Sequence, residues 1–306
     1  MKKLLFVYNP HAGKAKIRGL LGDLIAVFDD ADYEVTVRPT RKAGDAAQFV
    51  RKFAEDYDRI VVSGGDGTLN EALCGVCNAA TDGKRRPELG FIPTGSTNDF
   101  AKSLKIPSDP LVAAKIAVTG DLFPCDAGSF NGHPFTYVAA FGAFTKVSYA
   151  TPQKIKNLFG HFAYIIEGAK ELTHIRGLNL TVQTDEETFS GKYLYGMVSN
   201  ATSVGGFDGF FNDLNVALND GLLEVVLVKE PKTVAEKSAL LADLMRMNMK
   251  SRFFTTLKTR RITFETAENL PLPWTLDGEF GGEPNLAEIS VIPEAYSIVV
   301  PKSEEN

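Results

Sequence analysis

The chain has 306 residues, which at about 150 residues per domain predicts two domains. Hydrophobic residues make up 44% and charged residues 23% of the sequence, a globular composition that excludes a mainly disordered chain. The 33 basic and 38 acidic side chains give a net charge of −5, which argues against a protein that binds nucleic acid over its whole surface.

No run of about 18 uncharged apolar residues is present, so the sequence predicts no membrane-spanning helix. The short apolar run at residues 4–8 meets Asn9 and Pro10 without a small-residue cleavage site, which indicates a buried first strand and not a signal peptide. Three cysteines are too few for a disulfide framework and favour a reducing compartment. We therefore expect a soluble, cytoplasmic protein.

The first part of the chain alternates between strand and helix patterns. In chain order, the predicted elements are a strand at 4–8, a helix at 17–28, a strand at 33–37, a helix at 43–54, a strand at 59–62, a helix at 69–76 and a strand at 89–92. Such alternation with short connections predicts a parallel sheet that is covered by helices on both faces. In this architecture, ligands bind at the carboxyl ends of the strands.

The pattern changes after a predicted helix start at Asp109 and Pro110. The predicted elements that follow are strands at 126–130, 134–140, 178–184, 193–199, 222–228, 262–265, 287–291 and 297–300, and helices at 154–172 and 234–250. A two-residue turn at Asn131 and Gly132 would join the first two strands into a hairpin. We expect an α/β domain at residues 1–122 and a β-rich domain at 123–292, with residues from about 293 to 306 packing back on the first domain.

Glycine-rich loops follow three of the predicted strands, at residues 9–14, 64–68 and 93–99. Glycine allows the backbone to approach a phosphate closely, and the free N–H groups at a helix start point towards the anion. Neither a Walker A loop nor the G-x-G-x-x-G dinucleotide fingerprint is present. Three such loops at one edge of a parallel sheet predict a polyphosphate-binding site.

Five motifs in the sequence resemble the diacylglycerol kinase catalytic-domain family of lipid kinases, particularly its soluble bacterial members. They lie in family order at residues 9–13, 64–71, 93–101, 219–224 and 277–279. The loop at 64–68 is shared with NAD kinases, whereas the motifs at 93–101 and 277–279 are more specific to lipid kinases. The resemblance implies an N-terminal three-layer α/β nucleotide-binding domain, like that of NAD kinases and phosphofructokinases, and a C-terminal β-sandwich domain, with ATP in the cleft between them.

Matching motif positions also imply the site residues. The ATP site would be lined by Asn9, Pro10, His11, Ala12, Gly13, Thr40, Gly64, Gly65, Asp66, Gly67, Thr68, Leu69, Asn70, Thr94, Gly95, Asn98 and Asp99. A catalytic Mg²⁺ would be held, largely through water, by carboxylates such as Asp66 and Asp99. A second, structural Mg²⁺ would bind the Asp220 carboxylate and the carbonyl groups of Ala217 and Leu222. Taken alone, residues 219–221 would simply be a turn.

Phosphoryl transfer to an alcohol also needs a group that accepts the hydroxyl proton. The resemblance favours Glu279 for this base, with Asp277 second, and the sequence does not choose between them. The apolar residues 273–276 predict burial that would raise the pKa of a nearby carboxyl group. In isolation, the motif at 277–279 would be interpreted as a hairpin turn.

We therefore predict an ATP- and Mg²⁺-dependent lipid kinase that converts diacylglycerol to phosphatidic acid and transiently contacts the inner membrane face. An NAD kinase and a non-catalytic nucleotide- or lipid-binding protein are the alternatives. Candidate lipid contacts are the apolar residues at helical spacing in 155–166, the phenylalanines in 207–211 and the basic clusters at 84–86 and 258–261. Packing against the β-rich domain is favoured for the helical pattern, core packing explains the phenylalanines equally well, and short charge runs are usually solvated. No nucleic-acid partner is expected, and a homodimer is left open.

Overall fold

The computed structural model describes residues 1–95, 98–142, 176–201, 216–246, 248–267 and 269–302. The chain divides into two compact units, of which the first comprises residues 1–126 and the segment from Pro293 onward, and the second comprises residues 127–292. Within the described ranges, no helix has the length and apolar character needed to cross a membrane.

The first unit alternates strands and helices. Its elements are β1 (Lys2–Tyr8), a 3₁₀ helix (Ala12–Leu20), α1 (Leu21–Asp30), β2 (Tyr33–Pro39), α2 (Asp45–Phe53), β3 (Arg59–Gly64), α3 (Asp66–Thr81), β4 (Glu88–Pro93), α4 (Asp99–Ser103) and α5 (Pro110–Thr119). The predicted helix at 17–28 is thus divided, because its first residues form the 3₁₀ turns that are common at the start of α-helices. As predicted, Asp109 caps α5, where its carboxylate accepts hydrogen bonds from the N–H groups of Leu111 and Val112.

The sheet of the first unit is parallel, in the order β2-β1-β3-β4. Every residue of β3 is buried, as are the four central residues of β1, so side chains on both faces of these strands are covered. The register aligns the strand ends: Tyr8 pairs with Pro39 and Ser63, and Gly64 pairs with Pro93. Consequently, the loops that follow these four strands leave the sheet at the same edge.

The strands of the second unit pair in antiparallel fashion, and its described part also contains one helix. Its elements are β5 (Asp121–Phe130, which begins in the first unit), β6 (His133–Phe135), β7 (Val138–Gly142), β8 (Leu178–Thr184), β9 (Thr188–Ser199), β10 (Leu223–Lys229), α6 (Val234–Met245), β11 (Phe254–Thr259), β12 (Arg261–Thr266), β13 (Trp274–Leu276), β14 (Glu279–Gly282) and β15 (Leu286–Val300, which continues into the first unit). The predicted hairpin is confirmed, since Phe130 pairs with His133 across Asn131 and Gly132.

An aromatic cluster forms much of the core of the second unit. The Trp274 side chain is fully buried, and its ring centroid lies 4.9 Å from that of Phe141 and 5.2 Å from that of Phe264. Such edge-on contacts add to the free energy gained by burying the rings. Trp274 belongs to the strand that leads directly into residues 277–279, so this motif follows a rigid part of the core.

Three of the strands predicted after residue 122 differ in the structure. The single strand expected at 134–140 is interrupted at Thr136 and Tyr137, whose N–H groups donate to the side chain of Asp277 and not to a neighbouring strand. The strands expected at 287–291 and 297–300 are one continuous strand, β15, which accommodates a local irregularity at Glu294 with φ of 46°. The predicted helix at 154–172 and the phenylalanines in 207–211 lie outside the described residues.

Candidate functional site in the first unit and acidic clusters in the second

The glycine-rich loops of the first unit lie against one another at the carboxyl edge of its sheet. In the first loop, Asn9 bonds two ways: its Oδ1 accepts the His11 N–H at 2.9 Å, and its Nδ2 donates to Thr68 Oγ1 at 3.3 Å. Gly13 has φ of +52°, and a Cβ at this position would overlap the Thr94 carbonyl oxygen. The loop after β1 is therefore in direct contact with the loops after β3 and β4.

The loops after β3 and β4 approach each other equally closely. A Cβ on Gly95 would overlap the Gly65 Cα and lie 2.7 Å from Asn98 Oδ1. Asn98 closes its loop with two hydrogen bonds, because its Oδ1 accepts the Gly95 N–H at 2.9 Å and its Nδ2 donates to the Gly95 carbonyl at 3.0 Å. Beneath them, the buried hydroxyl groups of Ser63 and Thr94 are 3.2 Å apart. Only glycine allows these backbones to lie so close.

The loop after β3 continues directly into a long helix. Helix α3 begins at Asp66, earlier than the predicted residue 69, because Gly65 is extended and an acidic residue in the first turn favours the helix dipole. Asp66 Oδ1 accepts the Phe100 N–H at 3.2 Å, which connects this turn to helix α4. The N-terminus of a sixteen-residue helix thus opens at the edge where the loops converge, which is the arrangement that binds phosphate. The Asp99 side chain lies outside the described part of the chain.

The fourth loop of this edge, after β2, carries the predicted site residue Thr40 and is held by two acidic residues, Asp45 and Glu71, that the sequence analysis missed. Thr40 is buried, and its N–H donates to the Tyr8 carbonyl at 2.9 Å. Asp45 accepts hydrogen bonds from the N–H groups of Arg41 and Lys42 at 2.7 and 3.1 Å, and these bonds hold the pKa of its carboxyl group below the usual value. Glu71 of α3 accepts the Ala46 N–H at 3.2 Å. Asp45 and Glu71 therefore fix the loop that carries Thr40 relative to α3.

The sequence contains a signal for Asp45 but none for the contact that Glu71 makes. Asp45 follows Gly44 and lies in the first turn of the helix predicted at 43–54, where an acidic residue is a recognisable N-terminal signal. Glu71 continues the motif at 64–71 but has no phosphate-binding pattern of its own. Its contact with Ala46 joins elements that are 25 residues apart, and no local pattern predicts such a contact.

The motif at 277–279 lies in the second unit and forms a two-residue hairpin turn between β13 and β14. Leu276 pairs with Glu279, while Asp277 and Gly278 have φ of 53° and 90°. The Asp277 carboxylate accepts the N–H groups of Thr136, Tyr137 and Val138, each at 2.9 Å. The Glu279 side chain is exposed and, among the described residues, accepts no hydrogen bond. The expected burial is therefore absent at Glu279.

A second acidic cluster surrounds the turn at 219–221. Asp220 Oδ1 accepts the Leu222 N–H at 3.1 Å, and Asp220 Oδ2 lies 2.8 Å from Lys258 Nζ. The same ammonium group lies 3.3 Å from Oε1 of Glu224, whose side chain is fully buried. This burial raises the pKa of Glu224 to about 7, and the charge of Lys258 acts in the opposite direction. Lys258 is therefore an internal ion-pair partner and not part of a solvated basic cluster.

Other candidate metal ligands do not cluster. Within the ranges that the structure describes, no three His, Cys, Asp or Glu side chains form a group that could hold a metal ion. The three cysteines are free thiols, and burial raises the pKa of Cys125 to about 12, which makes its thiolate form rare. A metal bound by the described residues would rely on few direct side-chain ligands and on water or carbonyl oxygens, as Mg²⁺ commonly does.

The first unit has the α/β fold of a nucleotide-binding domain, with glycine-rich loops of the kind that bind phosphate at one edge of its sheet. The second unit is an antiparallel β domain. Comparison with protein families agrees. Residues 3–130 match the diacylglycerol kinase catalytic domain, and residues 138–300 match the YegS C-terminal NAD kinase beta sandwich-like domain. The predicted fold class, an α/β nucleotide-binding domain followed by a β-sandwich domain, is thereby confirmed.

Individual relatives give the same result. A diacylglycerol kinase of Bacillus subtilis (strain 168) is 33% identical over 284 residues, covering 92% of this chain and 91% of that protein. One from Staphylococcus aureus (strain MRSA252) is 34% identical over 289 residues, covering 92% and 87%. The protein in the crystal structure of a putative diacylglycerol kinase from Bacillus anthracis str. Sterne is 25% identical in sequence, and its fold matches with a TM-score of 0.80 over 98% of this chain and 95% of that one. The chain belongs to the diacylglycerol kinase family, as its motifs predicted.

Proposed function

We propose that this protein is an ATP-dependent lipid kinase that transfers the γ-phosphoryl group of ATP to the free hydroxyl of diacylglycerol, forming phosphatidic acid and ADP. The observation that carries the proposal is the convergence of the glycine-rich loops at the carboxyl edge of the first unit's sheet, in a chain of this family. The NAD kinase alternative shares the loop at 64–68 but is not favoured by the motifs at 93–101 and 277–279.

The first unit would bind the nucleotide. Backbone N–H groups of the first loop and of the start of α3 are the natural donors to phosphate oxygens, and the hydroxyl groups of Thr40, Thr68 and Thr94 are further candidates. Asn9 supports this arrangement, because it already connects the first loop to Thr68. The contacts between the loops fix the positions of these groups before the nucleotide arrives, which reduces the entropic cost of binding.

The carboxylate of Asp66 suits a catalytic Mg²⁺, because Mg²⁺ prefers oxygen ligands and keeps several waters. Asp66 lies at the start of α3, beside the loops proposed to hold the phosphates, and Asp99 is its proposed partner. When bound, Mg²⁺ would neutralise charge on the transferred phosphoryl group. The loops and the α3 N-terminus would orient that group.

We assign the general base to Glu279. A base must present a carboxylate oxygen to the attacking hydroxyl, and the exposed Glu279 side chain has no hydrogen-bond donor among the described residues. As the oxygen–phosphorus bond forms, Glu279 would accept the hydroxyl proton while the bond to the ADP oxygen breaks.

The structural Mg²⁺ proposed at Asp220, Ala217 and Leu222 would have to share the Asp220 carboxylate with Lys258.

Contact with the inner membrane face is part of the proposal, because diacylglycerol resides in a bilayer.

The purified protein should be assayed with labelled ATP against diacylglycerol, ceramide, sphingosine, a polyprenol and phosphatidylglycerol in mixed micelles, with NAD as a soluble acceptor. We expect label in phosphatidic acid alone. Label in NADP would establish the NAD kinase alternative, and ATP binding without any labelled product would establish the binding protein.

The base assignment is tested by Glu279→Gln, with the exposed neighbour Glu283→Gln as the matched control. Removing a general base lowers kcat by roughly 10²–10⁴-fold. We expect this loss in Glu279→Gln with the Kd for ATP unchanged, whereas Glu283→Gln should retain the kcat of the natural protein. Equal activity of the two variants would contradict the assignment.

A further inference from the structure

The motif at 277–279 contains two carboxylates in very different surroundings. Glu279 is exposed, whereas Asp277 accepts hydrogen bonds from three consecutive backbone N–H groups, those of Thr136, Tyr137 and Val138. A carboxylate offers about four acceptor positions, so these bonds use most of the capacity of Asp277. A general base must direct such a position at the substrate proton. The two acids are therefore suited to different tasks.

The bonds of Asp277 extend the pairing between β13 and β7. Within the ladder, Leu276 pairs with Ala139, and the N–H of Asp277 donates to the Val138 carbonyl at 2.8 Å. Val138 is the first residue of β7, and Thr136 and Tyr137 precede the strand, so at this end of the ladder the Asp277 side chain takes the place of a strand partner by accepting the three N–H groups. The side chain thus closes the end of the ladder, where the backbone can no longer pair.

The segment that Asp277 binds is also held from its other side. The Tyr137 carbonyl accepts the Ser199 hydroxyl at 2.9 Å and the Asn200 N–H at 3.3 Å. Thr136 and Ser199 are both buried. With its carbonyl bound to the end of β9 and its N–H groups bound to Asp277, the segment at 136–138 has little freedom to move.

We infer that Asp277 is a positioning residue, which fixes the hairpin turn carrying Glu279 against the rigid segment at 136–138. Glu279 lies two residues after Asp277 and pairs with Leu276 across the turn. The hydrogen bonds of Asp277 therefore fix the position of the Glu279 backbone. This inference rests on the proposed function for its catalytic consequence. The hydrogen bonds themselves can be tested without any activity.

The experiment compares Asp277→Asn and Asp277→Ala with Glu279→Gln. Asp109→Asn is the matched control, because Asp109 also accepts two backbone N–H groups, at 3.0 and 2.9 Å, but does so at the start of α5 in the first unit. Hydrogen exchange of peptides spanning 133–142 reports the three amides directly. Steady-state kinetics with ATP and diacylglycerol give kcat, the KM for ATP and the pH profile of kcat.

Asp277→Asn retains one oxygen acceptor and turns its NH₂ group towards a remaining N–H. We expect roughly tenfold faster exchange at 136–138 and a kcat about tenfold lower, because small displacements of a catalytic group are costly. The KM for ATP and the apparent pKa of the kcat profile should not change. Asp277→Ala should exchange faster at 136–138 than Asp277→Asn and should have a lower kcat. Asp109→Asn should leave exchange at 136–138 and kcat as they are.

Two results would overturn the inference. If Asp277→Asn removes the acid limb of the pH profile as Glu279→Gln is expected to do, Asp277 is the base. If exchange accelerates while kcat per folded molecule is unchanged, the hydrogen bonds serve stability alone. A natural protein that phosphorylates no lipid would instead refute the proposed function, and the exchange data would still decide whether Asp277 holds the segment.

Discussion

Replacing Gly13 by alanine should disable the nucleotide site without unfolding the protein. Two separate costs arise at this position. The first is the left-handed backbone conformation, with φ of +52°, which costs a non-glycine residue about 1–2 kcal/mol. The second is steric, because the new Cβ would overlap the Thr94 carbonyl oxygen and lie 3.0 Å from the Thr94 carbonyl carbon.

The two costs can be separated with Gly44→Ala. Gly44 also has a left-handed conformation, with φ of +85°, but a Cβ there meets no atom within 4 Å. Both variants should therefore show the backbone cost in thermal unfolding. Only Gly13→Ala should also move the loop after β1 away from Thr94, by about 1 Å, a displacement that can lower a catalytic rate about 10²-fold. That factor corresponds to about 2.7 kcal/mol of lost transition-state stabilisation.

The assay is kcat/KM for ATP at saturating lipid, with unfolding temperatures measured alongside. We expect a loss of about 100-fold for Gly13→Ala and less than about threefold for Gly44→Ala. If Gly13→Ala keeps kcat/KM within threefold of the natural protein, the close contact between the loop after β1 and the loop after β4 does not matter for catalysis. The converging loops would then not form the nucleotide site.

The acidic cluster of the second unit gives two more predictions. If Mg²⁺ binds at Asp220, adding it without ATP should raise the unfolding temperature, by the equivalent of about 2.7 kcal/mol at 100 times Kd, and Asp220→Asn should abolish the shift; no shift in the natural protein contradicts the site. Lys258→Met leaves the buried Glu224 without its cation, and because the pKa of Glu224 is about 7 in the natural protein, the variant should be destabilised by about 1.4 kcal/mol at pH 8. The native state binds the Glu224 proton more tightly than the unfolded state does, so both proteins should lose stability as the pH rises above 4.5. The difference between them should appear only above about pH 7, where Glu224 ionises beside Lys258 in the natural protein but not in the variant; a difference independent of pH would contradict this interpretation.

Local sequence patterns predicted the first unit well because its strands are buried on both faces. Continuous apolar runs such as those of β1 and β3 have few alternative structures, and the glycine-rich loops between them mark the strand ends. The predicted strand at 33–37 and helix at 43–54 correspond to β2 and α2 within a few residues. Convergence of the loops then follows from parallel topology, since the carboxyl ends of parallel strands lie at one edge.

The contacts that complete the site were not predictable in the same way. Glu71 bonds to Ala46, and Asp66 bonds to Phe100, over separations of 25 and 34 residues. A hydrogen bond between distant segments depends on the packing of whole elements, which leaves no periodic pattern in the sequence. The interruption between β6 and β7 has the same origin, because its cause is the Asp277 side chain, which arrives from 140 residues further along at Tyr137.

The motif at 277–279 forms a hairpin turn, and this turn is compatible with the catalytic role that we propose for Glu279. A two-residue turn with both residues at positive φ favours Asp followed by Gly. The same geometry turns the Asp277 side chain onto the three N–H groups of 136–138 and leaves Glu279 exposed as the first residue of β14. An asparagine would serve the turn equally well, but its amide cannot accept all three N–H groups. The need for a carboxylate at position 277 therefore comes from the segment it holds, and the need for one at 279 from the proton transfer that we propose.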